Sequence, residues 1–156
     1  MRRSNPHPPA MRGTAEADAL RRLVDLISHR TGAALSQMEK AGVTLPQVLL
    51  LTRVEWAGRA SISELANVSP GSVAATSQMV DRLVRKNWLA RCEDPADRRR
   101  KAVSLTSAGA GLLRDLERAR TADYAAGLSR LPSNLRAELR GWAVRALAEL
   151  KRGGLP

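Results

Sequence analysis

Asp94 to Gly109 reads DPADRRRKAVSLTSAG. Acidic residues and a proline precede four consecutive cations, Arg98 to Lys101. Alternating Ala102, Val103, Ser104 and Leu105 follow. The pattern predicts a β-hairpin with Arg98, Arg99 and Arg100 on a short, rigid tip. Asp97 lies two residues before Arg99, close enough to pair with it and aim its guanidinium. An oriented arginine fits the narrow, electronegative minor groove of A/T-rich DNA. About twenty residues upstream, Ser72 is placed to cap a helix over 73–87. Thr76, Met79, Val80, Leu83 and Val84 make its apolar stripe. Ala74, Ala75, Ser77, Gln78, Arg82 and Arg85 fall outside that stripe. Small residues at a helix start let the backbone approach base edges in a major groove. Gln78 can make a bidentate contact to adenine. Ser72 and the helix N-terminus suit a phosphate, as do Arg82 and Arg85 further along.

The elements that would position these groups are legible on either side. Ser61, Ile62, Ser63 and Glu64 form a capping box, in which Ser61 accepts from the Glu64 N–H and the Glu64 side chain reaches back. It opens a short helix to about Val68. Ser69, Pro70 and Gly71 are turn residues before the Ser72 helix. Two short helices joined by a tight turn are a helix-turn-helix candidate. A structural helix pair with solvated polar residues has the same spacing. The arginine run, set between strands predicted at 88–93 and 101–105, favours a winged helix over 61–105. From Ser72 to Lys101 eight Lys/Arg stand against four acids, a net of +4. That excess falls where such a fold would face a polyanion.

Long helices flank this unit. The first is predicted over 14–40, with Leu20, Leu23, Val24, Ile27, Thr31, Ala34, Leu35 and Met38 on one face and Gly32 as a weak point. Thr44 is expected to cap a second, with Pro46 in its first turn and an apolar, buried centre. Thr106 starts a helix reaching about Leu128. Ser133 is expected to cap the last, over 134–152, whose apolar side carries Leu135, Leu139, Trp142, Val144, Leu147 and Leu150. With no strands to lie on, the end helices are predicted to pack on each other, within one chain and between two.

Bulk composition sets the class. The chain has 156 residues, 44% hydrophobic, enough for one folded domain with a modest core. It has no Phe, so the core must rest on Leu, Val, Ala and Met. A net charge of +11 favours polyanionic partners. Residues 1–13, basic and rich in Pro, predict a disordered tail without the apolar stretch of a signal peptide. No apolar run approaches the roughly 18 residues of a membrane helix. The expected location is therefore cytoplasmic, with no membrane partner. One cysteine, Cys92, cannot form an internal disulfide. It is read as a small strand residue, with a redox sensor as the sharper alternative. Two separated histidines, His7 and His29, and one cysteine do not make a metal site. No nucleotide-binding or hydrolase motif is present. Neither cofactor nor enzymatic activity is expected.

SISELANVSPGSVAATSQMVDRLVRKNWLARCEDPADRRRKAVSLTSAGAGLL, residues 61 to 113, resembles the MarR family of bacterial transcription regulators. DRL at 81–83, then DPADRR, VSLT and Gly109 carry the likeness. The resemblance implies a mainly α fold with a small β-hairpin wing, a winged helix over about 44–105. Dimerisation helices over about 14–40 and 106–152 complete a single domain, 14–156. It implies a homodimer binding a pseudo-palindrome in double-stranded DNA, most often as a repressor. Arg99, oriented by Asp97, takes the minor-groove role; Ser72, Ala74, Ala75, Ser77 and Gln78 lie on the base-facing side. Gln78 stands where many members carry Arg. Members are often released from DNA by phenolic or other anionic ligands bound between the dimer helices and the winged helix. By that analogy His29, Met38, Arg53 and Trp56 line the cleft. The rival reading is a basic winged helix that binds DNA without sequence choice or docks to another protein.

Overall fold

The computed structural model describes residues 14–28, 32–68, 71–93 and 101–153. The tail at 1–13 and the wing tip at 94–100 lie outside the described residues. In chain order run α1 (Ala15–Ser28), α2 (Ala33–Ala41), α3 (Leu45–Ala57), β1 (Ala60–Ser61), α4 (Ile62–Val68) and α5 (Val73–Arg85). Then follow β2 (Leu89–Glu93), β3 (Lys101–Leu105), α6 (Ser107–Leu128) and α7 (Ser133–Arg152). The fold is mainly α with a small wing, as the sequence predicts.

Helix starts follow local chemistry. Gln47 Oε1 accepts from the Thr44 N–H at 3.0 Å before α3. Glu64 N–H donates to Ser61 Oγ at 3.2 Å, and Glu64 Oε2 accepts from the Ser61 N–H at 2.7 Å. Ser72 Oγ accepts from Ala75 N–H at 3.2 Å and Thr106 Oγ1 from Gly109 N–H at 3.0 Å. Such caps satisfy amides that have no partner inside the helix. Ser133 departs from expectation. It is the first helical residue of α7, and Pro132 holds the cap position without a side-chain bond.

The single helix expected over 14–40 is two helices, α1 and α2. Gly32, at the N-cap of α2, has φ 56, a left-handed conformation through which a right-handed helix does not continue. Because glycine offers no capping side chain, α6 supplies one. Asp123 Oδ1 accepts from Ala33 N–H at 3.1 Å and Oδ2 from Ala34 N–H at 3.2 Å. Its carboxylate is buried at the positive end of α2, where negative charge is favoured.

The sheet has a strand that the sequence reading missed. Its order is β1-β3-β2, all antiparallel, with Ala60 opposite Val103 and Ser61 opposite Ala102. Two residues are too few to show alternation. β2 begins at Leu89 rather than Trp88.

Leu50, Leu51 and Val54 of α3 centre the core, with Leu65, Val80, Leu83, Leu89, Val103 and Leu112, Leu113 and Leu116 of α6. α3 is buried at its centre, as expected. α1 and α2 lie on α6. α7 makes only marginal contact with the other described elements and buries none of its residues.

Candidate nucleic-acid interface

α5 is divided as its stripe predicts. Thr76, Val80 and Leu83 are buried, while Met79 and Val84 are half-buried against the core. Ala74, Ala75 and Gln78 are exposed and Ser77 is half-buried. The first two turns of α5 therefore present small side chains, one amide and the exposed Val73. Ser72 is exposed at the N-cap, so its hydroxyl and the free end of the helix face solvent together. Gly71 precedes it with φ 140, a conformation few other residues adopt. Arg82 and Arg85 are exposed one turn further on. Arg82 Nε donates to the Gln78 carbonyl at 3.3 Å, which draws the guanidinium back along the helix.

The wing strands pair from Leu89–Leu105 through Arg91–Val103 to Glu93–Lys101. Asp97, Arg98, Arg99 and Arg100, the tip residues singled out from sequence, lie outside the described residues. Cys92 is half-buried on β2.

The base of the wing is anchored by Thr106, expected from sequence only as a helix start, and by Asn87 and Lys86, whose contacts the sequence reading did not anticipate. Thr106 Oγ1 donates to the Asn87 carbonyl at 2.6 Å while accepting from Gly109, and Thr106 N–H donates to the Trp88 carbonyl at 3.2 Å. Asn87 takes φ 57 to make this turn. An Asn-Trp step just after a helix was the available signal, since Asn tolerates that conformation. Lys86 Nζ donates to the Gly42 carbonyl at 2.6 Å and sits 4.6 Å from the Trp88 ring centre. Arg91 is ion-paired with Asp81. Arg82, Lys86 and Arg91, three of the cations counted in the +4 excess, are thus engaged with the protein itself.

Of the suggested cleft residues, the structure brings together Met38 and Trp56. They line a cavity of about 390 Å³ with Val48, Leu116, Arg114 and Arg120. Arg53 is a correction. It lines a separate hollow of about 370 Å³ with Ala57, Arg59 and Glu64. A helix turns about 100° per residue, so Arg53 leaves the face that Thr52 shares with Trp56. His29 lies outside the described residues. Among the described residues no group of His, Cys, Asp and Glu is arranged to hold a metal, and no helix is long and apolar enough to cross a membrane.

Comparison with known proteins agrees with this geometry. Residues 43–101 match the model of the MarR family. The HTH-type transcriptional repressor MdtR of Bacillus subtilis is 39% identical over 75 residues, 48% of this chain and 48% of MdtR. The multiple antibiotic resistance protein MarR of Escherichia coli is 30% identical over 94 residues, 60% of this chain and 65% of MarR. The aligned stretches thus span less than two thirds of either relative. The transcriptional regulator Tm0710 of Thermotoga maritima superposes with a TM-score of 0.77 at 18% identity, over 92% of this chain and 99% of that one. A cysteine-to-serine mutant of Escherichia coli MarR, solved in complex with operator DNA, superposes at 0.53 with 24% identity, over 85% of this chain and 96% of that one. With a family match that runs from α3 through β1, α4, α5 and β2 to the first residue of β3, on a fold shared along most of its length with such solved structures, this winged-helix chain is similar to the MarR family.

Proposed function

We propose that the chain is a homodimeric transcriptional regulator that binds a pseudo-palindromic site in double-stranded DNA, acting as a ligand-responsive repressor in the cytoplasm. One domain over 14–156 carries this activity, behind a basic tail at 1–13. The reading rests above all on α5, which turns Ala74, Ala75, Ser77 and Gln78 away from the core while burying Thr76, Val80 and Leu83. A helix that keeps small side chains outward at its capped end suits close approach to a major groove. Arg98, Arg99 and Arg100 then serve the flanking groove, with Asp97 orienting Arg99, and Arg82 takes a phosphate. A relative named as a repressor and one solved on operator DNA support the same reading. Two recognition helices in successive major grooves imply half-sites about 10 bp apart. The cavity at Met38 and Trp56 suits the effector: apolar walls hold a ring, and Arg114 and Arg120, which share the lining with Glu55 and Glu117, offer cations to a phenolic or carboxylate group.

Selection of duplexes from a random-sequence library, followed by titration of the winners, tests this. The expected product is a near-palindrome bound at least about 10³-fold more tightly than random DNA, with affinity falling steeply as salt rises. Equal affinity for selected and random duplexes would instead favour a non-specific DNA-binding or protein-docking module. Replacing Gln78 by Ala is expected to relax preference at one position of each half-site more than it lowers total affinity. An unchanged selected sequence rules out that role. Arg99→Ala should weaken binding by about tenfold to a hundredfold, with the melting temperature unmoved. A protein that fails to fold would assign Arg99 to structure.

A further inference from the structure

Arg91 of β2 and Asp81 of α5 form an ion pair across the angle between wing and helix. Strand alternation explains one half of it. Arg91 shares a face of β2 with Leu89, which is buried in the core. Its cross-strand partner Val103 is buried as well, so the Arg91 stem leaves the sheet beside the core and its guanidinium reaches Asp81 of α5. Helix periodicity explains the other half. Asp81 follows Ser77 and Gln78 by four and three residues, and so lies on their face. The pair therefore closes the far end of the stripe that carries Ala74, Ser77 and Gln78.

Both side chains are substantially exposed, at 43% for Arg91 and 41% for Asp81. An exposed pair contributes little to folding, so its consequence is geometric. The contacts at Thr106 hold only the base of the wing, whereas Arg91 grips it two residues further along β2. Asp81 also carries negative charge on a face proposed to meet phosphates. Left unpaired, it would repel them.

We propose that Asp81 and Arg91 are a positioning pair, in which Asp81 holds Arg91 and thereby sets the angle between wing and α5 at which both engage one duplex. This deepens the DNA-binding reading and rests on it. Asp81→Asn separates positioning from simple charge, because the two predict opposite signs. Charge alone predicts tighter binding, since a carboxylate facing DNA is removed. Positioning predicts that affinity for the selected duplex falls about fivefold to tenfold while affinity for random duplex holds or rises. Arg91→Gln should lose a similar amount, and the double variant should be no worse than Arg91→Gln alone, since coupled residues are non-additive. Asp81→Glu, which keeps the carboxylate, should restore most of the affinity.

Undiminished affinity of Asp81→Asn for the selected duplex, or additive losses in the double variant, overturns the proposal. So does a melting temperature that falls in step with the affinity, which assigns the pair to the fold. A wild-type chain that selects no duplex overturns the DNA-binding reading and this proposal together. A wild-type chain that selects one, with variants that match it, overturns the positioning role alone.

Discussion

The double variant Trp142→Glu, Leu147→Glu is expected to be a helical monomer that has lost about a hundredfold or more of its affinity for the selected duplex. α7 is the reason. Leu135, Trp142, Val144, Leu147 and Leu150 are between 45% and 60% exposed, on a helix that buries nothing within its own chain. Exposed apolar stripes of this extent mark an interface. Burying one large apolar side chain contributes about 1.5–3 kcal/mol, and a two-fold interface repeats each contact. Two carboxylates at its centre therefore act four times over. Neither residue belongs to the core built on α3, so the winged helix itself should persist. Affinity falls because each half-site must then be bound alone, without the high effective concentration of a linked partner. Sedimentation velocity gives the mass, far-ultraviolet circular dichroism the helicity and fluorescence anisotropy the affinity. A variant that remains dimeric, or a wild-type chain that is already monomeric, rejects the assignment of α7.

Gly109→Ala should destabilise the fold by about 2 kcal/mol or more. A Cβ at this position would lie 2.1 Å from the Trp88 carbonyl oxygen and 2.9 Å from Leu105 Cδ2. The first atom is backbone, and it already accepts the Thr106 N–H. It cannot move without opening the base of the wing. A 2.1 Å approach to backbone belongs at or above the upper end of the about 1–3 kcal/mol that overpacking costs, against a gain of up to about 1 kcal/mol from replacing glycine in a helix. For a chain of this size each kcal/mol corresponds to roughly 2–4 °C, so the melting temperature should drop by roughly 4–8 °C. Gly111→Ala is the control. Its Cβ would meet only the Arg114 side chain at 3.8 Å, so the variant should equal or exceed the parent in stability. Scanning calorimetry on the three proteins decides it. If Gly109→Ala melts with the parent, the close approach of α6 to the wing base is wrong.

Much of the wing and of α5 was legible because the forces that shape them act over a few residues. Ser61 with Glu64, Ser72 with Ala75 and Thr106 with Gly109 are caps closed within a single turn. The stripe of Thr76, Val80 and Leu83 is a periodicity that survives folding unchanged, and the strand at 101–105 keeps its expected bounds. Residue types alone thus determined where helices start, which faces are apolar and which stretch carries the cations.

Other features depend on chain segments that meet only in three dimensions. Gly32 keeps α1 and α2 as separate helices with the help of Asp123, which lies 90 residues from Ala33 in sequence. β1 exists because β3 offers it an edge. Arg53 and Trp56 are three residues apart yet line different hollows, and the packing of α3 decides which. Arg91 counts from sequence as one cation among eight; Asp81, ten residues away, makes it an anchor. Caps and periodicity are local free energies written along the chain. Close approach, shared acceptors and paired charges across elements are products of packing, and only the assembled tertiary structure sets them.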